Sequence, residues 1–223
     1  MEIYVVKQGD SVNSIASSYG VDINTVIYDN QLIYPYDIVP GQALFIAGGQ
    51  RQPVGQLAVS GYAYPFIGRW VLEQTLPYLS ELPIFSYGFT VEGDLIPPLW
   101  DDRWIIVLAG QYGVLPILTL TPFDASGRFS NQLISRVINN PESTDKLINN
   151  ILQLMQDKGY EGIDIDFEYI LAEDRDAFTE FVRKVAESMR ENGYHTSVAL
   201  APKSSANQKG LLYEGKDYGA LGE

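Results

Sequence analysis

The chain has 223 residues, of which 46% are hydrophobic, so we expect one or two domains with a well-developed core. Its net charge of −13 excludes nucleic acid and anionic membranes as partners, because both require a basic surface. There is no cysteine, which excludes disulfides and thiolate metal sites.

The start of the chain has no apolar run long enough for a signal peptide or a membrane span, and we predict no membrane insertion. The sequence has one histidine, His195. A Ser-His-Asp triad would have to use it, but no nucleophile motif accompanies it. This favours a structural role for His195.

The first 48 residues predict a small unit with the order strand, helix, helix, strand. Helix caps, glycine stops and short apolar runs mark its elements. In chain order these are a strand at Ile3–Val6, an N-cap at Asp10 or Ser11, a helix stop at Gly20, an N-cap at Asp22 and a strand at Ala43–Ile46. We assign residues 1–48 to this unit and residues 49–56 to a flexible linker.

This unit resembles a LysM module through Tyr4–Val6, Gly9–Ser11, Tyr19–Val21, Asn30 and Pro40–Gln42. The resemblance implies binding of glycans that contain N-acetylglucosamine, such as peptidoglycan or chitin. It places the groove between the loop Gly9–Val12 and the loop Asn30–Pro35. The implied glycan-binding residues are Gly9, Asp10, Ser11, Asn30, Leu32 and Ile33. The alternative for Gly9 is a role in the fold alone.

Residues 57–223 alternate between strand and helix patterns, which predicts an α/β fold with a parallel sheet. The predicted elements are strand Leu57–Tyr62, a partial helix Arg69–Leu79, strand Ile84–Val91 with a hairpin at Glu92–Asp94, helix Asp101–Tyr112, strand Val114–Thr121, helix Pro141–Lys158, strand Gly162–Glu168, helix Glu173–Glu191 and strand Thr196–Ala201. Small or polar residues near the carboxyl ends of the strands favour a (β/α)₈ TIM barrel, whose active sites lie at that end.

The stretch Gly162–Tyr169 alternates apolar and acidic residues with a period of two, which is typical of a strand. Asp164, Asp166 and Glu168 would then share one face at intervals of roughly 6–7 Å. Neighbouring carboxylates disfavour ionising together, so at least one should have a raised pKa and could act as a general acid. Two alternatives stay open at this point, a solvated acidic face and a divalent-metal site.

The acidic stretch is similar to the fourth-strand signature of glycoside hydrolase family 18, D-G-x-D-x-D-x-E, with Glu161 in place of the first aspartate. The resemblance implies that Glu168 protonates the glycosidic oxygen and that Asp166 orients the substrate's 2-acetamido group. Asp164 would share a proton with Asp166. This family uses substrate assistance in place of a protein nucleophile, and the resemblance implies no metal and no cofactor.

Tyr62 and Phe89 are predicted to shape the sugar pocket, with core packing as the alternative for each. Phe85–Phe89, Leu200–Lys203 and Tyr213–Gly215 resemble the LysM-bearing branch of the family that is associated with lysis of the bacterial spore cortex. This implies cleavage of N-acetylglucosaminyl bonds in peptidoglycan, in a spore coat or cell wall. A chitinase and a non-catalytic glycan-binding coat protein are the alternatives. Leu118–Pro122 departs from the S-x-G-G pattern of many chitinases.

A (β/α)₈ barrel typically needs about 250 residues, more than residues 57–223 provide. We count five strands and expect the barrel to be truncated after the fifth. Open sheet edges pair readily with other chains. We therefore expect the 223-residue chain by itself to be inactive, and either to self-associate or to need further sequence for stability.

Overall fold

The computed structural model describes residues 2–47, 57–124, 126–205 and 207–223. The chain divides into two compact units, Met1–Leu57 and Ala58–Glu223. The linker predicted at residues 49–56 lies outside the described residues. No helix in the described ranges is long and apolar enough to cross a membrane.

The amino-terminal unit is built from two strands and two helices around its own small core. Its elements are β1 (Glu2–Val5), α1 (Val12–Tyr19), α2 (Ile23–Asp29) and β2 (Ala43–Ile46). The two strands pair antiparallel, with Glu2 opposite Ile46 and Val5 opposite Ala43. The fully buried side chains are Val6, Val12, Ile15, Ala16, Val26, Leu44 and Ile46.

Local signals fix both helices of this unit. Ser11 is the N-cap of α1 and its side chain accepts a hydrogen bond from the Ser14 backbone N–H, which stabilises the first turn. Gly20 ends α1 with a φ of 63°, a conformation that suits glycine. Asp22 caps α2 by accepting from the Asn24 backbone N–H. Of the two residues predicted as the first cap, Ser11 takes that role.

The second unit continues the alternation of helices and strands. Its elements are α3 (Arg69–Thr75), β3 (Glu81–Phe89), β4 (Leu95–Ile96), α4 (Arg103–Gln111), β5 (Leu115–Leu120), α5 (Asn131–Ile138), α6 (Pro141–Lys158), β6 (Gly162–Ile165), α7 (Arg175–Glu191) and β7 (His195–Val198). Short 3₁₀ turns lie at Leu76–Tyr78, Ala172–Asp174 and Ala220–Gly222. The predicted hairpin is confirmed, because β4 folds back antiparallel onto the end of β3.

The strands form a sheet in the order β4-β3-β5-β6-β7, with β3, β5, β6 and β7 parallel. This confirms the predicted parallel sheet. The predicted strand Leu57–Tyr62 is present only as two isolated bridges, Ser60 to Glu81 and Ala63 to Ile84, which run parallel to β3. The segment around Tyr62 thus lies beside β3 as an additional parallel neighbour.

The acidic stretch is a strand over a shorter range than its alternation predicts. β6 ends at Ile165, so Asp166 and Glu168 follow the strand and are not part of it. This corrects the prediction of a strand through Glu168. Phe167 still points into the core, where its ring stacks on Phe89 at 5.3 Å and on Phe181 at 5.6 Å. The aromatic contacts hold the chain in place just where it leaves the sheet.

Candidate active site

Asp164 of β6 lies in a cluster of polar side chains that come from β5, from β7 and from the segment around Tyr62. In the sheet register, Thr119 of β5 and Ser197 of β7 stand on either side of Asp164. Its carboxylate accepts hydrogen bonds of 2.6 Å from the Tyr62 hydroxyl and 2.6 Å from the Ser197 hydroxyl. The residue is only 3% exposed. Both of its oxygens are therefore held in fixed positions.

Tyr62 stays protonated and serves as a donor to Asp164. Burial first, and then the hydrogen bond to Asp164, raise the pKa of the Tyr62 hydroxyl well above its usual range. Tyr62 as a whole is about half exposed, with 54% of its surface accessible to solvent. Tyr62 thus offers an open aromatic face while its hydroxyl fixes a buried carboxylate.

Asp166 is half-buried and follows directly after β6. Its backbone N–H donates to the Leu120 carbonyl at 3.0 Å, which extends the pairing with β5 by one residue. Burial, followed by the nearby charges of Asp164 and Glu168, raises the pKa of the Asp166 carboxyl to about 6, and Lys216 acts in the opposite direction. Asp166 therefore holds a proton in mildly acidic solution, and burial contributes more to its raised pKa than the repulsion between neighbouring carboxylates.

Glu168 is exposed and lies two residues beyond Asp166. The next residue, Tyr169, has a φ of 52°, in the left-handed region that costs a non-glycine residue roughly 1–2 kcal/mol. The Tyr169 ring packs edge-on against Phe129 at 5.5 Å. This turn directs the chain away from the sheet immediately after Glu168 and leaves its carboxyl open to solvent.

Lys216 is a member of this site that the sequence reasoning missed. It is 4% exposed and donates a hydrogen bond of 2.9 Å to the Ala199 carbonyl, just beyond β7. Burial lowers the pKa of the Lys216 ammonium, while the charges of Asp166, Glu168 and Asp164 raise it. Lys216 therefore places a buried positive charge beside the three acids. Ser197 was missed as well, because its place in the site is visible only from the sheet register and from its hydrogen bond to Asp164.

Phe89 is not part of the open site. Its side chain is fully buried in the hydrophobic core. This corrects the prediction that Phe89 shapes a sugar pocket. Phe85, earlier on the same strand, stands near Tyr62 instead, with ring centroids 6.4 Å apart. β3 has an irregular register between Ile84 and Tyr87, which breaks the simple alternation of faces along the strand.

A row of aromatic rings leads away from Tyr62. Phe85 contacts Tyr64 at 5.1 Å, Tyr64 stacks on Phe66 at 4.9 Å, and Phe66 meets Trp100 at 5.1 Å. Tyr64, Phe66 and Trp100 are each about half exposed. Exposed flat rings of this kind suit contacts with the apolar faces of sugar rings.

In the amino-terminal unit, a groove of about 340 Å³ lies between the start of α1 and the segment 35–38. Its lining residues are Asp10, Ser11, Val12, Asn13, Ile23, Pro35, Tyr36, Asp37 and Ile38. Two of the residues expected to bind glycan, Asp10 and Ser11, line it. Gly9 lies beside them with a φ of 88°.

The other three expected glycan-binding residues lie outside that lining. Leu32 packs against the small core, and Ile33 is 85% exposed. Asn30 uses its side-chain amide inside the fold. It donates to the Val26 and Phe45 carbonyls at 2.8 Å each and accepts from the Phe45 N–H at 2.6 Å. The two bonds with Phe45 tie the end of α2 to β2, so Asn30 has a structural role.

His195 lies at the opposite end of β6 and β7 from Glu168, paired with Gly162. A side chain at Gly162 would approach the His195 ring to 2.7 Å, so the glycine allows the two strands to pack. Among the described residues, no group of three or more histidine or acidic side chains has an arrangement that could hold a metal ion.

Comparison with protein families and known proteins agrees with this geometry. Residues 126–222 match the family described as glycosyl hydrolases family 18, and residues 4–47 match the LysM domain. A cortical fragment-lytic enzyme of Bacillus cereus is 32% identical over 275 residues, covering 100% of this chain and 63% of the relative.

Two solved structures are similar over 99% of the chain. The spore cortex-lytic enzyme SleL of Bacillus cereus is 31% identical with a TM-score of 0.71, and 51% of it is covered. SleL of Bacillus megaterium QM B1551 is 26% identical with a TM-score of 0.72, and 52% of it is covered. The chain thus spans between half and two thirds of the length of these relatives. It carries a LysM domain followed by a glycosyl hydrolases family 18 domain, and its relatives include the cortical fragment-lytic enzymes.

Proposed function

We propose that this protein hydrolyses N-acetylglucosaminyl bonds in peptidoglycan of the spore-cortex type. The observation that carries the proposal is the arrangement of Asp164, Asp166 and Glu168, which go from buried to half-buried to exposed along one segment. The printed names of the Bacillus relatives, which describe lysis of cortex or its fragments, support this class of substrate.

In the proposed first step, the Glu168 carboxyl donates its proton to the glycosidic oxygen as the bond to the anomeric carbon breaks. The carbonyl oxygen of the substrate's own 2-acetamido group forms a new bond to that carbon, giving an oxazolinium ion. Glu168 is suited to this role because it is exposed at the carboxyl end of β6, the end of a strand at which barrel enzymes place their chemistry.

Asp166 would stabilise the positive charge that develops on the acetamido nitrogen. A carboxylate in a partly buried site acts strongly on a nearby charge because little water screens it. Its raised pKa, about 6, supports exchange of a proton with Asp164 as the charge on the substrate changes. The hydrogen bonds from Tyr62 and Ser197 would hold Asp164 in place throughout.

In the second step, water attacks the anomeric carbon from the side that the leaving group vacated. The Glu168 carboxylate takes a proton from this water, and the bond to the acetamido oxygen breaks. Two displacements at one carbon retain the configuration of the sugar. The row of rings from Tyr62 to Trp100 would bind neighbouring sugars of the chain.

We also propose that the parallel strands of the second unit are arranged as in a (β/α)₈ barrel, and that the amino-terminal groove binds N-acetylglucosamine-containing glycan. A second binding unit raises the local concentration of an enzyme on an insoluble polymer. This would associate the protein with a spore or cell wall.

The test is to incubate the protein with cortex fragments and, separately, with chitin oligomers, and to identify the new reducing ends by mass spectrometry. We expect N-acetylglucosamine at the new reducing ends from cortex fragments, and no such product from the Glu168→Gln variant. Cleavage of chitin alone would favour a chitinase. Binding without cleavage, in the longest form of the protein in which the chain occurs, would favour a glycan-binding protein. The 223-residue chain by itself is predicted to be inactive, and the same assay tests that prediction.

A further inference from the structure

Lys216 lies buried beside the three acids of the candidate site, and the proposed chemical steps do not use it. Its exposed fraction is 4%. Burying an ammonium is unfavourable unless opposite charge compensates it, so lysine is rarely buried without carboxylates nearby. The carboxylates whose charges act on the Lys216 ammonium are those of Asp166, Glu168 and Asp164. Lys216 and these three acids therefore form one charge cluster.

Two contacts hold Lys216 in its position. Its ammonium donates a hydrogen bond of 2.9 Å to the Ala199 carbonyl. Ala199 follows β7, and its N–H donates to the Ile165 carbonyl at 3.1 Å, which places it beside the last residue of β6. The preceding residue, Gly215, approaches the Ile170 carbonyl so closely that a side chain at position 215 would lie 2.2 Å from the oxygen. The ammonium is therefore fixed one strand away from the end of β6.

The other charged side chains around Lys216 have partners outside the charge cluster. The pairs are Arg175 with Asp217, Lys209 with Glu214, and Lys203 with the ring of Tyr218. On the side of the acids, Tyr62 is neutral and donates its hydroxyl hydrogen to Asp164. In the described part of the chain, Lys216 is therefore the cation that offsets the charge of the three acids.

With Lys216 included, the charge of the cluster and substrate together stays constant through the proposed first step. Before the step, Asp164 and Asp166 are negative, Glu168 holds its proton and Lys216 is positive, which leaves one net negative charge. After the step, Glu168 is negative and the oxazolinium ion is positive, so one net negative charge remains. Without the ammonium there would be one more net negative charge in a partly buried site, and this favours a proton on Asp166. A protonated Asp166 would not stabilise the positive acetamido group.

We propose that Lys216 is a positioning residue for the hydrolysis, which keeps Asp166 ionised and in place while the acetamido group of the substrate becomes positive. Lys216 acts through Asp166 and does not touch the substrate. The proposal rests on the function proposed above. Burial raises the pKa of Asp166 and the charge of Lys216 opposes that rise. Loss of the lysine should therefore extend to higher pH the range in which Asp166 is protonated.

The first test measures protonation and needs no enzymatic activity. Carbon-13 NMR of the carboxyl group gives the pKa of Asp166 in the 223-residue chain. Lys216→Gln, whose amide can still donate to the Ala199 carbonyl but has no charge, should raise this pKa by about one unit. Lys216→Arg keeps the charge and should keep the pKa close to its wild-type value. The matched control is Lys184→Gln, which removes a lysine of α7 that lies near Asp145, and it should leave the pKa unchanged.

A reciprocal measurement uses Asp166→Asn, which should fold because it removes a partly buried charge. Coupling between two ionisable groups acts equally in both directions. The pKa of the Lys216 ammonium, followed through the NMR signal of its ε-methylene group, should therefore fall by about one unit in this variant. If Lys216→Gln does not fold, this measurement decides. An unchanged pKa of Lys216 here, or an unchanged pKa of Asp166 in a folded Lys216→Gln variant, would overturn the assignment.

The second test measures the pH dependence of turnover, in the longest form of the protein in which the chain occurs. Lys216→Gln should lower turnover of cortex fragments roughly three- to tenfold at pH 6, because the acidic limb of the profile follows the proton on Asp166. KM, and turnover at pH 8, should stay near the wild-type values, and Lys216→Arg should restore the profile.

An equal loss of turnover at every pH would assign Lys216 a structural role alone and overturn the proposal, while the proposed function stands. Failure of the wild-type protein to cleave cortex fragments would instead contradict the proposed function. The NMR titrations would then still decide whether Lys216 controls the proton on Asp166.

Discussion

Tyr62 and Asp164 are separated by 102 positions in the chain, and the hydroxyl of one donates a hydrogen bond of 2.6 Å to the carboxylate of the other. The bond joins the segment beside β3 to β6, across the two intervening strands β3 and β5. It spans the part of the sheet on which the candidate site is built. Loss of this hydrogen bond should therefore lower the stability of the protein and change the protonation of Asp166.

Replacing Tyr62 by phenylalanine should lower the free energy of unfolding by about 1–3 kcal/mol, because a buried carboxylate loses a donor. The pH profile of hydrolysis should shift as well, since Asp164 influences the proton on Asp166. Urea unfolding and a pH–rate profile would measure the two effects. Tyr64→Phe is the matched control, because it also removes one tyrosine hydroxyl while the ring at position 64 keeps its contacts with Phe66 and Phe85. Equal effects of the two substitutions would refute a specific role for the bond.

Replacing Glu168 by glutamine should lower the rate of hydrolysis by at least about a hundredfold, because the side chain keeps its shape but loses its transferable proton. Binding of glycan should persist. Turnover of cortex fragments and calorimetric titration would be compared with the wild-type protein, both in the longest form of the protein in which the chain occurs. Turnover near the wild-type rate would remove Glu168 from the mechanism.

Replacing Asp166 by asparagine should stabilise the protein at neutral pH while it lowers turnover. The pKa of Asp166 is raised to about 6 in the fold, from 3.8. Between these values the folded state binds more protons than the unfolded state, so the wild-type protein loses stability as the pH rises through this window. The asparagine variant has no carboxyl at this position, so it does not lose stability in this way as the pH rises.

We therefore expect the variant to gain about 1–2 kcal/mol relative to the wild type between pH 4 and pH 7, after allowance for solvent screening. Urea unfolding at both pH values would measure it. Asp157→Asn, at an exposed position of α6, is the matched control. A gain that is the same at both pH values would contradict the assignment of the raised pKa to Asp166.

Replacing Asn30 by alanine should destabilise the amino-terminal unit by about 2–3 kcal/mol, because two hydrogen bonds to Phe45 of β2 and one to Val26 of α2 are lost. Thermal unfolding followed by circular dichroism would detect it, with Asn24→Ala as the control on the same helix. Unchanged stability together with lost glycan binding would instead assign Asn30 to the groove.

Deleting residues 1–48 should weaken binding to insoluble peptidoglycan but spare the cleavage of small soluble fragments. Tethering to a polymer raises effective concentration without changing the chemistry at the acids. Sedimentation with cell-wall material and a soluble-fragment assay would separate the two effects. Equal sedimentation of both forms would argue against a targeting role for the LysM unit.

Local signals explain what could be predicted from the sequence. The bounds of α6 were predicted correctly, because Pro141 suits a first turn and Gly159 takes a positive φ at the end. The parallel sheet followed from the alternation of patterns. α5 was not predicted, although Ser130 caps it and it is as long as α1, which was predicted.

The other residues of the site could not be predicted, because their positions depend on packing between distant parts of the chain. Phe85 and Phe89 have the same parity along β3, so alternation alone places them on one face, but the register irregularity between Ile84 and Tyr87 separates them. Lys216 and Ser197 carry no motif of their own. They belong to the site because the fold brings the end of β7 and the segment after it to the acids.

The close approach of Gly215 to the Ile170 carbonyl leaves no room for a side chain at position 215. Any larger residue there would push against the backbone two residues after Glu168. A glycine beyond β7 thus helps to set the position of the turn that follows the acidic segment.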